Sequence, residues 1–149
     1  MGQLEFTVQI AASPDRAFVF FVPQRMPYWY GAEMEIELEV QAGAPEFQVG
    51  QKVRITGRVG SKEVAHTAVV TAYQWGRLLE WRFQDEYGVR GLQRWELEVA
   101  PGGARVRMRD AYQLPGRLGR LADWLITRHA VARRDRADLA RLKKLAEQK

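Results

Sequence analysis

Leu4, Phe6, Val8 and Ile10 alternate with polar residues in LEFTVQI, residues 4 to 10, the period-2 pattern of a half-buried strand. The pattern then changes in SPDRAFVFFV. Ser13 is placed to cap a helix with Pro14 at its first position, and Phe18, Phe20 and Phe21 supply its apolar mass. This helix is expected to end near Pro23. The next aromatic group, MPYWYG at residues 26 to 31, is too short for an independent element and reads as a second helical turn or a loop over an apolar interior.

A series of strand-like runs separated by turn signals follows, the pattern of a long antiparallel meander. MEIELEV sets Met34, Ile36, Leu38 and Val40 against three glutamates, and QKVRITGRV sets Val53, Ile55, Gly57 and Val59 against Lys52, Arg54 and Arg58. GSK turns the chain into EVAHTAVVTAY, whose inward phase the pattern leaves open and whose His66 is assigned to solvent or the rim. RLLEWRFQD places Leu79, Trp81 and Phe83 on one face, and LQRWELEV places Trp95, Leu97 and Val99 there. After the PGG turn at residues 101 to 103, ARVRMRDAYQL puts Val106, Met108, Asp110 and Tyr112 inward against Arg105, Arg107 and Arg109.

Beyond Pro115 and Gly116 the chain reads as one long helix to its end. Leu118, Leu121, Ala122, Leu125, Ile126, His129 and Ala132 form a broad apolar stripe at 100° per residue, with His129 near its middle. Arg133 and Arg136 interrupt the stripe, which drifts toward Leu139, Leu142 and Ala146. The first half of the helix is therefore expected to pack, and its last turns to meet a rim or a neighbouring subunit, which leaves room for a homodimer. WLITRHA becomes a cavity wall and VARRDR its solvated continuation.

A sheet with one apolar face must cover it, and the long helix is the only element large enough. The expected class is α+β: a curved antiparallel sheet of about seven strands around a long C-terminal helix, with two short helices between strands 1 and 2. All of it falls in one domain, residues 1–149.

This element order, with VQIAASPDRAFVFF, VGQKVRITGRVG, LLEWRFQDEYG, RGLQRWELEVAPGGARVRM and the arginine-rich final helix, resembles the START-like (SRPBCC) helix-grip superfamily of polyketide cyclases, dehydrases and lipid-transport proteins. The resemblance spans nearly the whole chain. It implies a deep cavity between sheet and C-terminal helix, used across members for lipids, sterols, quinones, polyketides or plant hormones. It carries no catalytic signature to particular residues here, and fold membership does not choose among these ligands.

Composition narrows the chemistry. A hydrophobic fraction of 46% and a charged fraction of 28% are those of a soluble globular protein. The first residues have neither the basic region nor the apolar run of a secretory signal, and no apolar run reaches the length needed to cross a bilayer, so a cytoplasmic location is expected. With no cysteine and two histidines far apart, disulfides, thiol nucleophiles and a metal site are not expected, nor is any cofactor. The net charge of +5 is uneven: residues 105 to 149 hold 13 Lys or Arg against 5 Asp or Glu. Because the basic residues spread around the helix and alternate with Asp123, Asp135 and Asp138, they read as a solvated face with local ion pairs, and nucleic acid is not an expected partner.

The expected ligand-binding residues are Trp81, Phe83, Trp95, Met108 and Tyr112 on the sheet, Leu125 and His129 on the helix, and Trp29, with Tyr28 and Tyr30, at the mouth. Tyr87 and Gly88, at a hairpin tip, also border it. The favoured function is binding or transport of a hydrophobic small molecule without catalysis. One alternative is a polyketide cyclase, aromatase or dehydrase in which His129, Asp110 and Tyr112 handle protons. Another is an interaction module using the basic helix.

Overall fold

The computed structural model describes residues 2–40, 45–59, 61–85, 88–113 and 119–148, the side chains of 2, 59, 62 and 119–127 excepted. Seven strands form one antiparallel sheet: β1 (Gly2–Ile10), β2 (Glu37–Val40), β3 (Lys52–Val59), β4 (Lys62–Gln74), β5 (Leu78–Asp85), β6 (Arg90–Ala100) and β7 (Gly103–Gln113). Their order is β1-β7-β6-β5-β4-β3-β2, a meander from β2 to β7 whose last strand receives β1 at its free edge. Between β1 and β2 lie the short helix α1 (Pro14–Phe18) and two 3-10 turns, Met26–Tyr28 and Ala32–Met34. The long helix α2 (Gly119–Glu147) ends the chain.

The local chemistry explains the entry to α1. Ser13 Oγ accepts from the Arg16 backbone N–H at 3.2 Å, satisfying a donor that the first helical turn leaves orphaned, and Pro14 needs no partner there. Gly31, between the two 3-10 turns, has φ 60°, and a Cβ on it would fall 2.3 Å from Ile36 Cγ1. Only glycine meets both the left-handed backbone and the close approach of Ile36.

Inward phases follow the alternation in β3, β5, β6 and β7. In β4 a bulge between Val70 and Ala72 shifts the register with β5. Ala68 and Val70 face the core before the shift and Tyr73 packs on it after, so no single period-2 phase describes the strand. Val99, assigned inward from the alternation, stands 82% exposed beside the β6–β7 turn, while Ala100 is buried.

One end of the interior is filled by aromatic rings. Trp29, Trp81 and Trp95 have no exposed surface, and their rings meet edge to face: Trp81 and Trp95 at 5.3 Å, Trp29 and Trp95 at 6.0 Å. Phe18, Phe21 and Phe47 extend the cluster toward α1 and the loop before β3.

The described part of α2 keeps the expected drift toward Leu139, Leu142 and Ala146 and departs from the stripe at His129. Asp135, Asp138, Leu139, Leu142 and Ala146 are buried, while His129 is exposed. The last turns enter the core, where Leu139 and Leu142 each contribute about 1.5–3 kcal/mol of burial. Two contacts hold this end of the helix to β1: Lys143 Nζ donates to the Gln9 carbonyl at 2.9 Å, and the Ala11 N–H to Glu147 Oε2 at 2.7 Å. The side chains of Leu121, Ala122, Leu125 and Ile126 lie outside the described residues, as do Leu118 and Tyr87.

Candidate functional site

Register aligns one row of inward residues across three strands: Trp81 on β5 opposes Gln93 on β6, and Gln93 opposes Asp110 on β7. The row is hydrogen-bonded through its side chains. Trp81 Nε1 and Tyr30 Oη both donate to Gln93 Oε1, at 2.9 and 2.7 Å, and Gln93 Nε2 donates to Asp110 Oδ2 at 3.4 Å. Tyr30 reaches this point from the turn that also carries Gly31, whose N–H donates to Asp138 Oδ1 on α2 at 3.1 Å.

From the helix side, Arg134 Nη2 lies 3.4 Å from Asp110 Oδ2 and 3.5 Å from Asp135 Oδ1. The Asp135 carboxyl is also hydrogen-bonded to that of Asp110. Arg141 pairs with Asp138 at 3.0 Å and with Glu33 at 2.8 Å. Among the described residues, Asp135 Oδ2 and Asp138 Oδ2 are buried without a hydrogen-bond partner.

Three interior carboxyls against two guanidinium groups set the protonation. Burial, then the Asp110 carboxyl, pushes Asp135 far above the carboxylate range, so it keeps its proton at neutral pH. Asp138 is pushed up to about 6 by burial, with Arg134, the Gly31 N–H and Arg141 holding it lower than burial alone would. Burial also raises the Tyr30 phenol, against the pull of Arg134. For Arg134 itself burial opposes the charge, but Tyr30, Asp135, Asp110 and Asp138 outweigh it and raise the guanidinium.

Beside this network lies a cavity of about 270 Å³ between the sheet and α2. Its apolar walls are Ile55, Phe83, Val89 and Val131. Tyr30, Gln93, Asp110 and Arg134 converge on one side, and His66, Asp85 and Tyr112 complete the described lining. The volume sits at the lower limit of ligand pockets, which begin near about 300 Å³. A larger hollow of about 660 Å³ lies on the outward face of the sheet, bordered by Thr67, Val69, Arg82, Arg90 and Leu92. None of the buried carboxyls lines it, so the convergent chemistry belongs to the interior cavity.

The expected site residues divide. Phe83, Asp110 and Tyr112 line the cavity. Trp81, Trp95 and Met108 are fully buried in the packed core and are not among its described lining, Trp81 touching the site only through Gln93. Trp29 stands in the core, not at a mouth, with Nε1 donating to the Phe20 carbonyl at 2.8 Å; of its neighbours Tyr28 is exposed and Tyr30 buried. Leu125 lies outside the described side chains, and His129 points to solvent. His66, expected at solvent or the rim, is half-buried, lines the cavity, and sets its ring 5.6 Å from Phe83.

Sequence reasoning passed over Gln93, Arg134, Asp135 and Asp138. The signal for the last two was present: 135, 138, 139, 142 and 146 follow helical spacing, with aspartates at the first two positions of an otherwise apolar face. VARRDR is correspondingly not a uniformly solvated continuation, since Arg134 and Asp135 belong to the interior network. Other basic groups of the helix are engaged as well: Arg136 lies over the Phe6 ring at 5.1 Å, and Lys143 pairs with Glu147 at 2.7 Å. No helix of the described residues is long and apolar enough to cross a membrane.

The family model described as polyketide cyclase / dehydrase and lipid transport matches residues 1–147. The chain belongs to this family. Solved structures agree on the helix-grip fold. A protein of Chromobacterium violaceum is 14% identical, with 100% of both chains covered and a TM-score of 0.73. A Staphylococcus aureus protein of unknown function is 12% identical over 98% of this chain and 93% of that one, with a TM-score of 0.77. Ara h 8.0201 is 14% identical over 97% of each chain, with a TM-score of 0.75. At such identities the likeness carries the fold alone. No curated protein matches the chain. Membership in the family places the protein among hydrophobic-ligand-binding or polyketide-cyclase-like proteins.

Proposed function

We propose that the protein binds a small hydrophobic molecule in the cavity between sheet and α2, as a carrier or receptor rather than an enzyme, with residues 1–149 acting as one domain. The observation that supports this reading is the pairing of apolar walls, Ile55, Phe83, Val89 and Val131, with a few convergent polar groups at one side. Complete packing of the aromatic cluster leaves this cavity as the interior space beside the polar row, and its size favours a compact ligand over a long acyl chain.

Titration with the neutral fluorophore N-phenyl-1-naphthylamine, paired with native mass spectrometry of protein from its own source, tests the reading. Saturable binding that Val131→Trp abolishes, with folding retained by circular dichroism, is the expected result. Absence of binding, or binding untouched by filling the cavity, would overturn it.

A second reading, acid-base catalysis of the cyclase or dehydrase kind, draws on one observation: Asp110 and Tyr112 face the cavity, and Asp135 holds a proton directly behind Asp110. His129 has no part in it. Turnover of an aromatic polyketide model substrate that Asp110→Asn removes would favour this reading over simple binding.

A further inference from the structure

We propose that the cavity takes a ligand bearing a neutral acceptor oxygen, a carbonyl on an otherwise apolar frame, and holds that oxygen on the Arg134 guanidinium. The inference rests on the cavity-binding reading above and adds the chemical class of the ligand.

The acceptors at the polar side of the cavity are occupied. Gln93 Oε1 receives both Tyr30 Oη and Trp81 Nε1. The Asp110 carboxyl, 1% exposed, meets Gln93 Nε2, Arg134 Nη2 and the Asp135 carboxyl. A hydroxyl or amine entering here would find little left to receive its hydrogen.

Donors, by contrast, remain. A guanidinium carries five N–H bonds. The described residues meet that of Arg134 only through Nη2, 3.4 Å from Asp110 and 3.5 Å from Asp135. Both distances exceed the about 2.7–2.9 Å of a well-formed charged bond. Nε is buried without an acceptor among the described residues. Arg134 lies deep enough for burial to be the largest single influence on its ionisation, yet 29% of its side-chain surface is accessible and it lines the cavity. Its open surface therefore faces the cavity. An oxygen set there by the apolar walls would meet a cation short of acceptors, and satisfying such a group favours binding.

Charge decides between a neutral oxygen and an anionic one. Asp135 keeps its proton against Asp110, so the charge of Arg134 is already balanced, and Arg141 is engaged by Asp138 and Glu33. Asp85 adds a further carboxyl to the lining. A carboxylate would lose its hydration with no spare positive charge to replace it, whereas a carbonyl needs only the hydrogen.

Three 2-substituted naphthalenes of one shape test this at pH 7 by calorimetry: the ketone 2-acetonaphthone, its alkene counterpart 2-isopropenylnaphthalene, and 2-naphthoate. An apolar cavity alone would favour the alkene, which leaves water more readily. The ketone is expected to bind about threefold or more tighter than the alkene, and tighter than naphthoate. Arg134→Met should reverse the order of ketone and alkene. Should that variant not fold, the Arg134 Nε–H proton resonance of the wild-type protein gives the same test, moving with the ketone and not with the alkene. An alkene at least as tight as the ketone, naphthoate tightest, or a ketone advantage that survives Arg134→Met would each overturn the proposal, while binding of N-phenyl-1-naphthylamine keeps the cavity reading in place. Failure of all three probes overturns it too, and together with failure of that fluorophore overturns both.

Discussion

Asp135 on α2 and Asp110 on β7 meet carboxyl to carboxyl inside the protein, with the Arg134 guanidinium 3.5 and 3.4 Å from their oxygens. One guanidinium does not offset two buried carboxylates, and the pair keeps a proton on Asp135.

Stability should therefore fall as pH rises. Asp135 is raised by burial and by Asp110, and Asp138 is raised to about 6, both above the ordinary Asp value near ~3.9. The folded state binds more protons than the unfolded one across that interval, so the stability these groups confer is complete below about pH 4 and declines upward. For Asp138 the decline is spent by a little above 6; for Asp135 it continues through neutrality. Asp135→Asn keeps the shape and removes the charge. Urea unfolding from pH 5 to pH 8 should show a flatter profile in the variant and a gain on the order of 1 kcal/mol at pH 8. An unchanged slope would mean that Asp135 is not the buried acid.

Gln93 is the hub of the row. Its Oε1 serves Tyr30 and Trp81 together, both buried, so Gln93→Leu strands two donors and removes one from Asp110. At about 1–3 kcal/mol for each unsatisfied buried group, the variant should lose at least about 3 kcal/mol in denaturant unfolding. Adding Tyr30→Phe should recover part of that loss, because the stranded hydroxyl goes with it. Additive losses would show that the two side chains are not coupled.

His129 stands exposed on α2. His129→Ala should change stability by less than about 0.5 kcal/mol and leave probe binding at wild-type strength. A large loss of binding would restore it to the cavity wall.

Its displacement marks where the sequence was legible and where it was not. Alternation fixed the inward phase of β7 and placed Asp110 and Tyr112 correctly, since a half-buried strand separates its faces by polarity. The bulge in β4 broke that rule, and the phase of His66 stayed open. On α2 the buried face carries Arg134, Asp135 and Asp138, polar groups held inside by one another and by Gly31 and Arg141. A stripe traced by hydrophobicity finds Leu139, Leu142 and Ala146 but skips such polar groups and takes in the exposed His129. Whether Trp81, Trp95 and Met108 enclosed a void or filled it depends on ring packing, which side-chain periodicity does not encode.

Gly91 bears on the cavity more directly than any of its large residues. It pairs with Phe83 on one side and Tyr112 on the other, both cavity residues. A Cβ there would lie 2.4 Å from the Ala111 carbonyl oxygen and 2.5 Å from Phe83 Cζ. The carbonyl belongs to the neighbouring strand and cannot retreat without disturbing it, so the Phe83 ring must swing toward the cavity. Gly91→Ala should cost about 1–3 kcal/mol in unfolding and weaken binding of N-phenyl-1-naphthylamine. Combining it with Phe83→Leu, which trades the ring for a smaller, more adaptable side chain, should return part of the binding. Unimpaired binding by Gly91→Ala would instead show that Phe83 is not a wall of the occupied cavity.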